Sequence, residues 1–296
     1  MAEIIQKDGT WAFDGDALRL TPGRDRNVSL LRRTLGELVV PLGALAGISF
    51  EQGKKSGRLR LRLRDGADPL LHASGGRLTE PNDPYQLLVE SDRYGVAEYF
   101  TDEVRNALLL DEVPCDPATE YLLPGPSVPL SVSAGDGTAS FDGEHIRLEW
   151  NWKTEDAKAA AGTRTLAVTD LAAVEWQPAA GLENGHLRFT VRGAATKAPP
   201  KYDPNSVELW GFKKDPLMAL VAAAVQARLP HPSAAAVTDV PPLEHHAPKQ
   251  LAPADGREDD HDALLRRLRE LGELHRTGVL TDEEFAMAKQ AVLKRM

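Results

Sequence analysis

The sequence predicts a mainly β chain: two copies of one domain, each closed by a C-terminal helix, then a linker and a C-terminal helical hairpin. The first observation is a phrase that starts at Asp8-Gly9-Thr10 and returns 128 residues later at Asp136-Gly137-Thr138. The second is that apolar and polar residues alternate within each copy, as in half-buried strands. The third is that each copy ends in apolar residues at helical spacing. Because the phrase recurs at domain length, and not at the roughly 20 to 50 residues of a solenoid, we interpret it as a duplicated domain.

The repeat extends beyond its opening phrase. Residues 45–50 are answered by 171–176, and residues 57–64 by 185–192. Further on, Asp83-Pro84 is answered by Asp203-Pro204 at an offset of 120, so the second copy is about eight residues shorter between these landmarks. A change of this kind belongs in a loop.

In the first copy, we interpret residues 1–72 as strands separated by turns. Asp14-Gly15 has the chemistry of a hairpin turn between two alternating segments. Residues 58–64 have the clearest period of two, with leucines on one face and arginines on the other. A further strand is predicted over residues 85–90, and apolar residues then recur at helical spacing from Val96 to Leu108, which predicts a closing helix.

The second copy is predicted to repeat this plan. Five prolines between positions 111 and 129 break any regular element and indicate an extended connector before it. The second copy ends in an alanine-rich helix after Pro216. The predicted buried stripe of this helix consists of Leu217, Leu220, Val221 and Ala224. The domain bounds are 1–110 for the first copy, 111–130 for the connector, 131–229 for the second copy, 230–257 for a flexible Pro/Ala-rich linker and 258–296 for the helical hairpin.

The hairpin over 258–296 has capping signals at its predicted boundaries. Asp260 or Asp262 can cap the first helix, Gly278 can end it, and Thr281-Asp282-Glu283-Glu284 forms a capping box for the second. So short a hairpin buries too little surface to be stable alone, so we expect it to pair with another copy of the chain as a homo-oligomer. The apolar face expected to make this contact consists of Leu264, Leu268, Leu271, Phe285 and Val292.

The phrase from Leu268 to Phe285 resembles a SHOCT domain, a short C-terminal family whose pattern L…L…G-(V/I)-(L/I)-T-x-E-E-F the tail matches. The two copies are similar to an uncharacterised bacterial domain family that occurs in tandem ahead of SHOCT tails. Their order of strands and closing helix resembles the pleckstrin-homology class, a small barrel or sandwich. The resemblance implies oligomerisation or partner docking by the tail and brings no catalytic residue with it.

Composition narrows the class of protein. With 42% hydrophobic and 27% charged residues, the chain is typical of a soluble globular protein. The formal net charge of −9 argues against binding nucleic acid through the overall field. The one cysteine, Cys115, cannot form an internal disulfide, and neither a signal peptide nor a membrane span is predicted. We therefore expect a cytoplasmic protein, with at most peripheral contact to a membrane.

No pattern of catalytic or metal-binding residues is found in the sequence. It lacks an H-E-x-x-H motif, a Walker loop, a G-x-S-x-G elbow and a G-x-G-x-x-G phrase, and one cysteine excludes a thiolate zinc cluster. His245-His246 can bind a metal adventitiously, but we interpret it as an inert polar pair. We predict no catalytic residue, no metal and no cofactor.

One basic strand is the candidate binding surface. It can hold a phosphate or carboxylate if its guanidinium groups are free, or it can be a solvated sheet face paired with neighbouring carboxylates, which we favour. Its residues are Lys54, Lys55, Arg58, Arg60, Arg62 and Arg64. Trp150 and Trp152, predicted on alternate positions of one strand, are either an aromatic contact surface or, as we favour, sheet core.

The expected function is a non-enzymatic scaffold that self-assembles through its tail and presents the two domains. The alternative is a peripheral adaptor that binds anionic lipid or another acidic ligand through the basic strand. A protein partner of the tail remains open as well, whereas no nucleic acid is expected.

Overall fold

The computed structural model describes residues 1–194 and 196–233, and over these the fold is mainly β, with two similar domains that each end in a helix. The first repeat contains β1 (Ala2–Ile5), β2 (Gly9–Phe13), β3 (Ala17–Pro22), α1 (Leu30–Leu35), β4 (Leu38–Pro41), β5 (Leu45–Glu51), β6 (Ser56–Leu63), α2 (Pro69–Ala73), β7 (Gln86–Glu90) and α3 (Tyr94–Leu110). The second contains β8 (Leu130–Ala134), β9 (Gly137–Phe141), β10 (His145–Trp150), α4 (Asp156–Ala159), β11 (Arg164–Ala167), β12 (Leu171–Gln177), β13 (Gly185–Val191), β14 (Ser206–Leu209) and α5 (Met218–Gln226). The hairpin predicted over 258–296, and the linker beyond residue 233, lie outside the described residues.

Each repeat is built from a four-stranded and a three-stranded antiparallel sheet. In the first repeat β1 to β4 pair in chain order, and β5 to β7 form the second sheet; β8 to β11 and β12 to β14 repeat this arrangement. The predicted hairpin turn is present in both copies. Asp14 accepts hydrogen bonds from two backbone N–H groups, and Gly15 adopts a φ of 118°, a value that favours glycine. Asp142 and Gly143 repeat the turn, with a φ of 117° at Gly143.

The interpretation of residues 1–72 as strands and turns alone was wrong, because two short helices begin in this region. Ser29 caps α1 by accepting a hydrogen bond from the N–H of Arg32. Asp68 caps α2 by accepting from the N–H groups of Leu70 and Leu71, and Pro69 occupies the first turn. Both helices lie in connections between strands, where no apolar periodicity is long enough to indicate them.

The two closing helices differ in burial. Helix α3 buries one stripe that includes Phe100 and Val104. Helix α5 buries all nine of its residues. The predicted stripe of Leu217, Leu220, Val221 and Ala224 was therefore too narrow, and Leu217 lies just before the helix and is only partly buried. The reason is that α5 packs against its own sheets and also against α2 of the first repeat.

Each repeat has its own apolar core, and the core of the second repeat extends across this contact into the first. Leu31, Leu70 and Ala73 of the first repeat belong to the core cluster of the second. The connector between the repeats also packs: Ala118 and Leu123 are buried in the first core. At Gly125 a Cβ atom would come within 2.5 Å of the Ala227 Cβ, so the connector backbone lies directly against the end of α5. The described residues of both repeats group as one compact unit, so the two repeats are not structurally separate domains.

Candidate functional site

The basic strand is β6, and its predicted alternation is confirmed. Leu59, Leu61 and Leu63 are buried, while Arg60 and Arg62 point to the exposed face of the three-stranded sheet. The neighbouring strands place Ser49 opposite Arg60 on one side and Gln86 opposite it on the other. The arginine face is thus a solvent-facing sheet surface flanked by polar residues.

Three of the four arginines of β6 and its end interact with other groups of the fold. Arg58 makes a bidentate ion pair with Glu80 at 2.6 and 2.9 Å, and Arg60 lies 3.9 Å from the same carboxylate. Arg64 donates to the backbone carbonyls of Asp116 and Gly43 at 2.8 and 2.9 Å. Arg58 is therefore neutralised by a neighbour, and Arg64 fastens the connector to the first repeat.

The remaining cations do not converge on one point. Among the described residues, Arg62, Lys54 and Lys55 are exposed and make no side-chain ion pair or hydrogen bond. Lys54 and Lys55 occupy the turn before β6, whereas Arg62 lies near its other end. At about 3.3 Å per residue, Lys55 and Arg62 are roughly 23 Å apart along the strand. A single small anion cannot bridge them, so this surface suits only a ligand that spreads over the whole strand.

The same strand of the second repeat shows which arginines have a structural role. Arg192, the counterpart of Arg64, also donates to a backbone carbonyl, that of Leu171, at 2.9 Å. Arg188, the counterpart of Arg60, lies 3.2 Å from the buried carboxylate of Asp203 and donates to the carbonyl of Ala198. The arginine at this position, Arg64 in the first repeat and Arg192 in the second, therefore has the same structural role of hydrogen-bonding the backbone.

An ion pair occurs at the same place in each repeat, partly buried in the first and fully buried in the second, and sequence reasoning missed both pairs. Asp8 accepts from the guanidinium of Arg32 at 2.9 Å and from the N–H of Leu88 at 3.0 Å. Asp136 accepts from the ammonium of Lys158 at 2.6 Å and from the N–H of Glu208 at 2.8 Å. The repeated Asp-Gly-Thr phrase was a signal for the acid, but the cation lies 22 or 24 residues further on and differs between copies.

The second of these pairs is sealed from solvent. The side chains of Lys158 and Asp136 are 0% and 2% exposed, and the Lys158 ammonium also donates to the carbonyl of Pro200 and lies 4.6 Å from the centre of the Trp150 ring. Desolvation by burial raises the pKa of Asp136 and lowers the pKa of Lys158, against the opposing effect of their mutual hydrogen bond. Because no ligand can reach them, these groups hold the loops together and do not form a reactive site.

A junction cluster of His72, Tyr121, Gln226 and His231 connects the repeats through the connector. The hydroxyl of Tyr121 lies 2.6 Å from the His72 Nδ1 atom and accepts from the Gln226 side chain at 2.7 Å. The His231 ring packs edge-on against Tyr121, with 4.7 Å between ring centres. Desolvation and the nearby His231 lower the pKa of His72, so its neutral form is favoured near neutral pH.

An open cleft of about 610 Å³ lies beside this cluster, and Val174, Arg192 and Leu229 contribute to its wall. His72, Gln226 and His231 line it as well, so its wall combines apolar and hydrogen-bonding groups. No serine, threonine or cysteine is among the described residues that line the cleft. Beside it, the hydroxyl of Ser233 lies 2.6 Å from the Nδ1 atom of His231 and donates to the carbonyl of Thr119 at 2.7 Å.

The expectation that Trp150 and Trp152 share one strand was wrong, because β10 ends at Trp150. Trp150 is half-buried and donates from Nε1 to the carbonyl of Gly162 at 2.8 Å. Trp152 lies in the following turn and is 89% exposed. Trp150 is thus a sheet residue, the interpretation that we favoured for both tryptophans, whereas Trp152 is a surface residue.

Trp152 belongs to a group of aromatic residues that the sequence did not bring together. The ammonium of Lys153 lies 5.4 Å from the ring centre of Trp152, 5.1 Å from that of Trp210 and 5.7 Å from that of Phe212. We call Trp152, Lys153, Trp210 and Phe212 the aromatic patch. Trp210 and Phe212 follow β14, far from Trp152 in sequence, so only the fold reveals the patch.

Across residues 1–194 and 196–233, no group of three or more histidine, cysteine or acidic residues is arranged to hold a metal ion, and Cys115 is exposed. No helix in this part of the chain is long and apolar enough to cross a membrane. The two repeats match the family model described as Domain of unknown function (DUF4429), over residues 11–105 and 139–226. No curated protein matches the chain.

Proposed function

Since the chain belongs to the DUF4429 family through both of its repeats, whose description assigns no activity, we propose a function from the chain's own residues. It is a non-enzymatic adaptor in which two fused repeats form one rigid recognition unit and residues 258–296 join copies of the chain. The observation that carries this proposal is the complete burial of α5 between its own sheets and α2 of the other repeat. Such a contact fixes the geometry in which both repeats are presented.

The self-assembly part of the proposal rests on the sequence of the tail. Its SHOCT-like phrase, its capping signals and its apolar face from Leu264 to Val292 describe a helical hairpin too small to be stable without a partner. A second copy of the same hairpin supplies an equivalent apolar face. Several recognition units joined in this way bind a repeated ligand far more tightly than one unit does, because later contacts become intramolecular.

We propose that the adaptor acts in the cytoplasm, where the exposed thiol of Cys115 stays reduced. Its recognition unit is expected to bind a protein or a membrane surface, and its tail is expected to bind itself. No cofactor enters this mechanism.

Light scattering after size exclusion tests the assembly. The full chain is expected to be a defined oligomer, and Leu268→Asp is expected to be a monomer, because the change places a charge in the proposed hairpin interface. Leu182→Asp is the matched control, since Leu182 is fully exposed in the turn between β12 and β13. Both variants should melt at the wild-type temperature. Equal masses for wild type and Leu268→Asp would remove the tail as the assembly device.

A second candidate function is binding of an extended acidic ligand by the outer face of β6. The exposed, unpaired side chains of Arg62, Lys54 and Lys55 among the described residues support it, and the Glu80 pairing of Arg58 weighs against it. Arg60→Glu combined with Arg62→Glu reverses the charge there without touching the core. If this face binds a polyanion such as heparin, the double variant should lose that binding, whereas unchanged binding would exclude the face.

A further inference from the structure

The aromatic patch exposes rings that the fold does not cover. Trp152 is 89% exposed and Phe212 is 59% exposed, while Trp210 is partly buried between them and the body of the repeat. The rings of Trp210 and Phe212 meet edge to face with 6.1 Å between their centres. Large aromatic side chains are usually buried in a folded domain, so rings as exposed as these are unusual.

The loops that carry these rings are held in place by hydrogen bonds. The buried carboxylate of Asp215 accepts from the N–H groups of Trp210, Gly211 and Phe212 at 2.8, 2.8 and 3.0 Å. On the other loop, the side chain of Asn151 donates to the carbonyl of Gly135 at 2.9 Å and accepts from the N–H of Lys153 at 2.9 Å. The exposed rings are therefore presented by a fixed backbone, which lowers the entropy lost when they bind a partner.

The first repeat shows that the fold itself does not need these aromatic residues. At the offset of 128 that relates β3 to β10, Trp152 corresponds to Arg24. At the offset of 120 that relates Leu88 to Glu208, Trp210 corresponds to Glu90 and Phe212 to Asp92. The same domain is thus built with charged residues at all three positions. The patch is an addition specific to the second repeat.

Lysines lie on the same loops as the patch. Lys213 and Lys214 directly follow Phe212 and are exposed, and Lys153 lies among the rings. Lys201, on the loop between β13 and β14, packs over the ring of Tyr202 and lies 4.0 Å from Glu155. The acidic residues at the start of helix α4 are Asp156 and the N-cap residue Glu155. On the two loops that carry the patch, the exposed lysines Lys153, Lys213 and Lys214 outnumber the one exposed acid, Glu155, and the carboxylate of Asp215 is buried. This local excess of positive charge occurs on a chain whose net charge is −9.

From this combination we propose that the aromatic patch docks the second repeat onto the surface of a bilayer that contains anionic lipids. Trp152 and Phe212 enter the interfacial region, where aromatic rings are favourable, and Lys153, Lys213 and Lys214 face the anionic headgroups. A bilayer accepts protruding rings without a preformed pocket, which a rigid protein partner would have to supply. The inference concerns residues that the adaptor proposal does not use, and it does not depend on the tail.

Sedimentation of the full chain with vesicles tests the inference. Binding is expected with phosphatidylcholine vesicles that contain phosphatidylglycerol and is expected to be weak with phosphatidylcholine alone. Trp152→Ser combined with Phe212→Ser should lower binding by about tenfold or more, because both rings leave the interface. Lys213→Glu combined with Lys214→Glu should lower it as well, and added salt should weaken wild-type binding. The matched control is Leu182→Ser, which removes an exposed apolar side chain from a different turn.

Three results would overturn the inference. The first is no wild-type binding to the anionic vesicles, and the second is wild-type binding by the double aromatic variant. The third is a smaller mass in solution for the aromatic variant, which would show that another copy of the chain covers the patch. Loss of vesicle binding only in the Arg60→Glu and Arg62→Glu variant would instead place the lipid contact on the first repeat. The mass of Leu268→Asp reports on the adaptor proposal separately, so the two can fail independently.

Discussion

Helices α3 and α5 occupy the same place in their repeats but have opposite surroundings. Helix α3 spans 17 residues, buries one face and leaves Tyr99 and Leu109 exposed. Helix α5 spans nine residues and is buried on every side. The difference comes from α2, which the first repeat places on α5. The corresponding connection between β13 and β14 is shorter and contains no helix among its described residues, so the second repeat cannot cover a helix in turn.

The sequences of the two closing helices reflect this difference. Helix α5 contains no charged residue. The outer surface of α3 has charged residues such as Glu98 and Asp102, which are costly to bury without partners. Helix α3 therefore keeps one side in solvent among the described residues, whereas α5 does not.

The largest expected effect on stability comes from breaking the ion pair of the second repeat, and it is compared with breaking the ion pair of the first. Lys158→Met should lower the free energy of unfolding by about 3 to 5 kcal/mol, because it leaves the fully buried carboxylate of Asp136 without a countercharge. Arg32→Met should cost less, about 1 to 3 kcal/mol, since the side chain of Asp8 is 23% exposed and keeps water as a partner. Urea unfolding monitored by fluorescence measures both. Equal losses of stability in the two variants would mean that burial of the carboxylate does not determine the cost of removing its cation.

A double variant separates charge from packing in the second repeat. Adding Asp136→Asn to Lys158→Met removes the unpaired charge while it keeps the shape of the side chain. Part of the lost stability should return. If none returns, the cost of Lys158→Met comes from lost packing and lost hydrogen bonds to the loop, and the ion pair contributes little.

A second prediction tests the contact between the repeats. Leu70→Ala in α2 should lower the free energy of unfolding by about 2 to 5 kcal/mol, because Leu70 is 3% exposed within the core of the second repeat. Leu109→Ala on α3 is the matched control and should change it by less than about 0.5 kcal/mol, since Leu109 is 76% exposed. A single unfolding transition is expected for wild type. Two separate transitions in wild type would contradict a shared core.

The features that sequence patterns predicted are those that local chemistry decides. The Asp-Gly turns, the alternation along β6 and the helical spacing after Val96 each depend on a few neighbouring residues, and all three are confirmed. The duplication was readable because its opening phrase is nearly intact in both copies. These features follow from turn geometry and from the periods of strand and helix, which act within one element.

The features that were missed depend on residues far apart in sequence. Burial of α5 on every side depends on α2, and the aromatic patch depends on two loops about 60 residues apart. A signal for α5 did exist: no charged residue occurs between Asp215 and Arg228, and a helix that is apolar all round is a buried helix. For the candidate basic strand, the alternation predicts the spacing of the arginines, but Glu80, the partner of Arg58, lies in a connection that the alternation does not describe.

The smallest expected effect is the pH dependence of stability that His186 of the second repeat contributes. His186 lies beneath the contact between the repeats, near Glu175, which pairs with Arg77 of the first repeat at 3.2 Å. Burial lowers the pKa of His186 below its usual 6.5, and the charges of Arg188 and Arg77 lower it further, while Glu175 raises it. The counterpart of His186 in the first repeat is Arg58.

The sign of the effect follows from this lowered pKa. As the pH falls through about 6.5, His186 binds a proton in the unfolded chain before it does so in the folded chain. The stability that neutral His186 contributes above this pH is therefore lost progressively, until the pH falls below the pKa of His186 in the folded chain. Melting temperatures between about pH 7.5 and pH 5 should therefore fall less for His186→Gln than for wild type. His145→Gln, at an exposed position of the same repeat, is the matched substitution against which His186→Gln is compared. Identical slopes for wild type and His186→Gln would show that the contact with the first repeat does not hold His186 neutral.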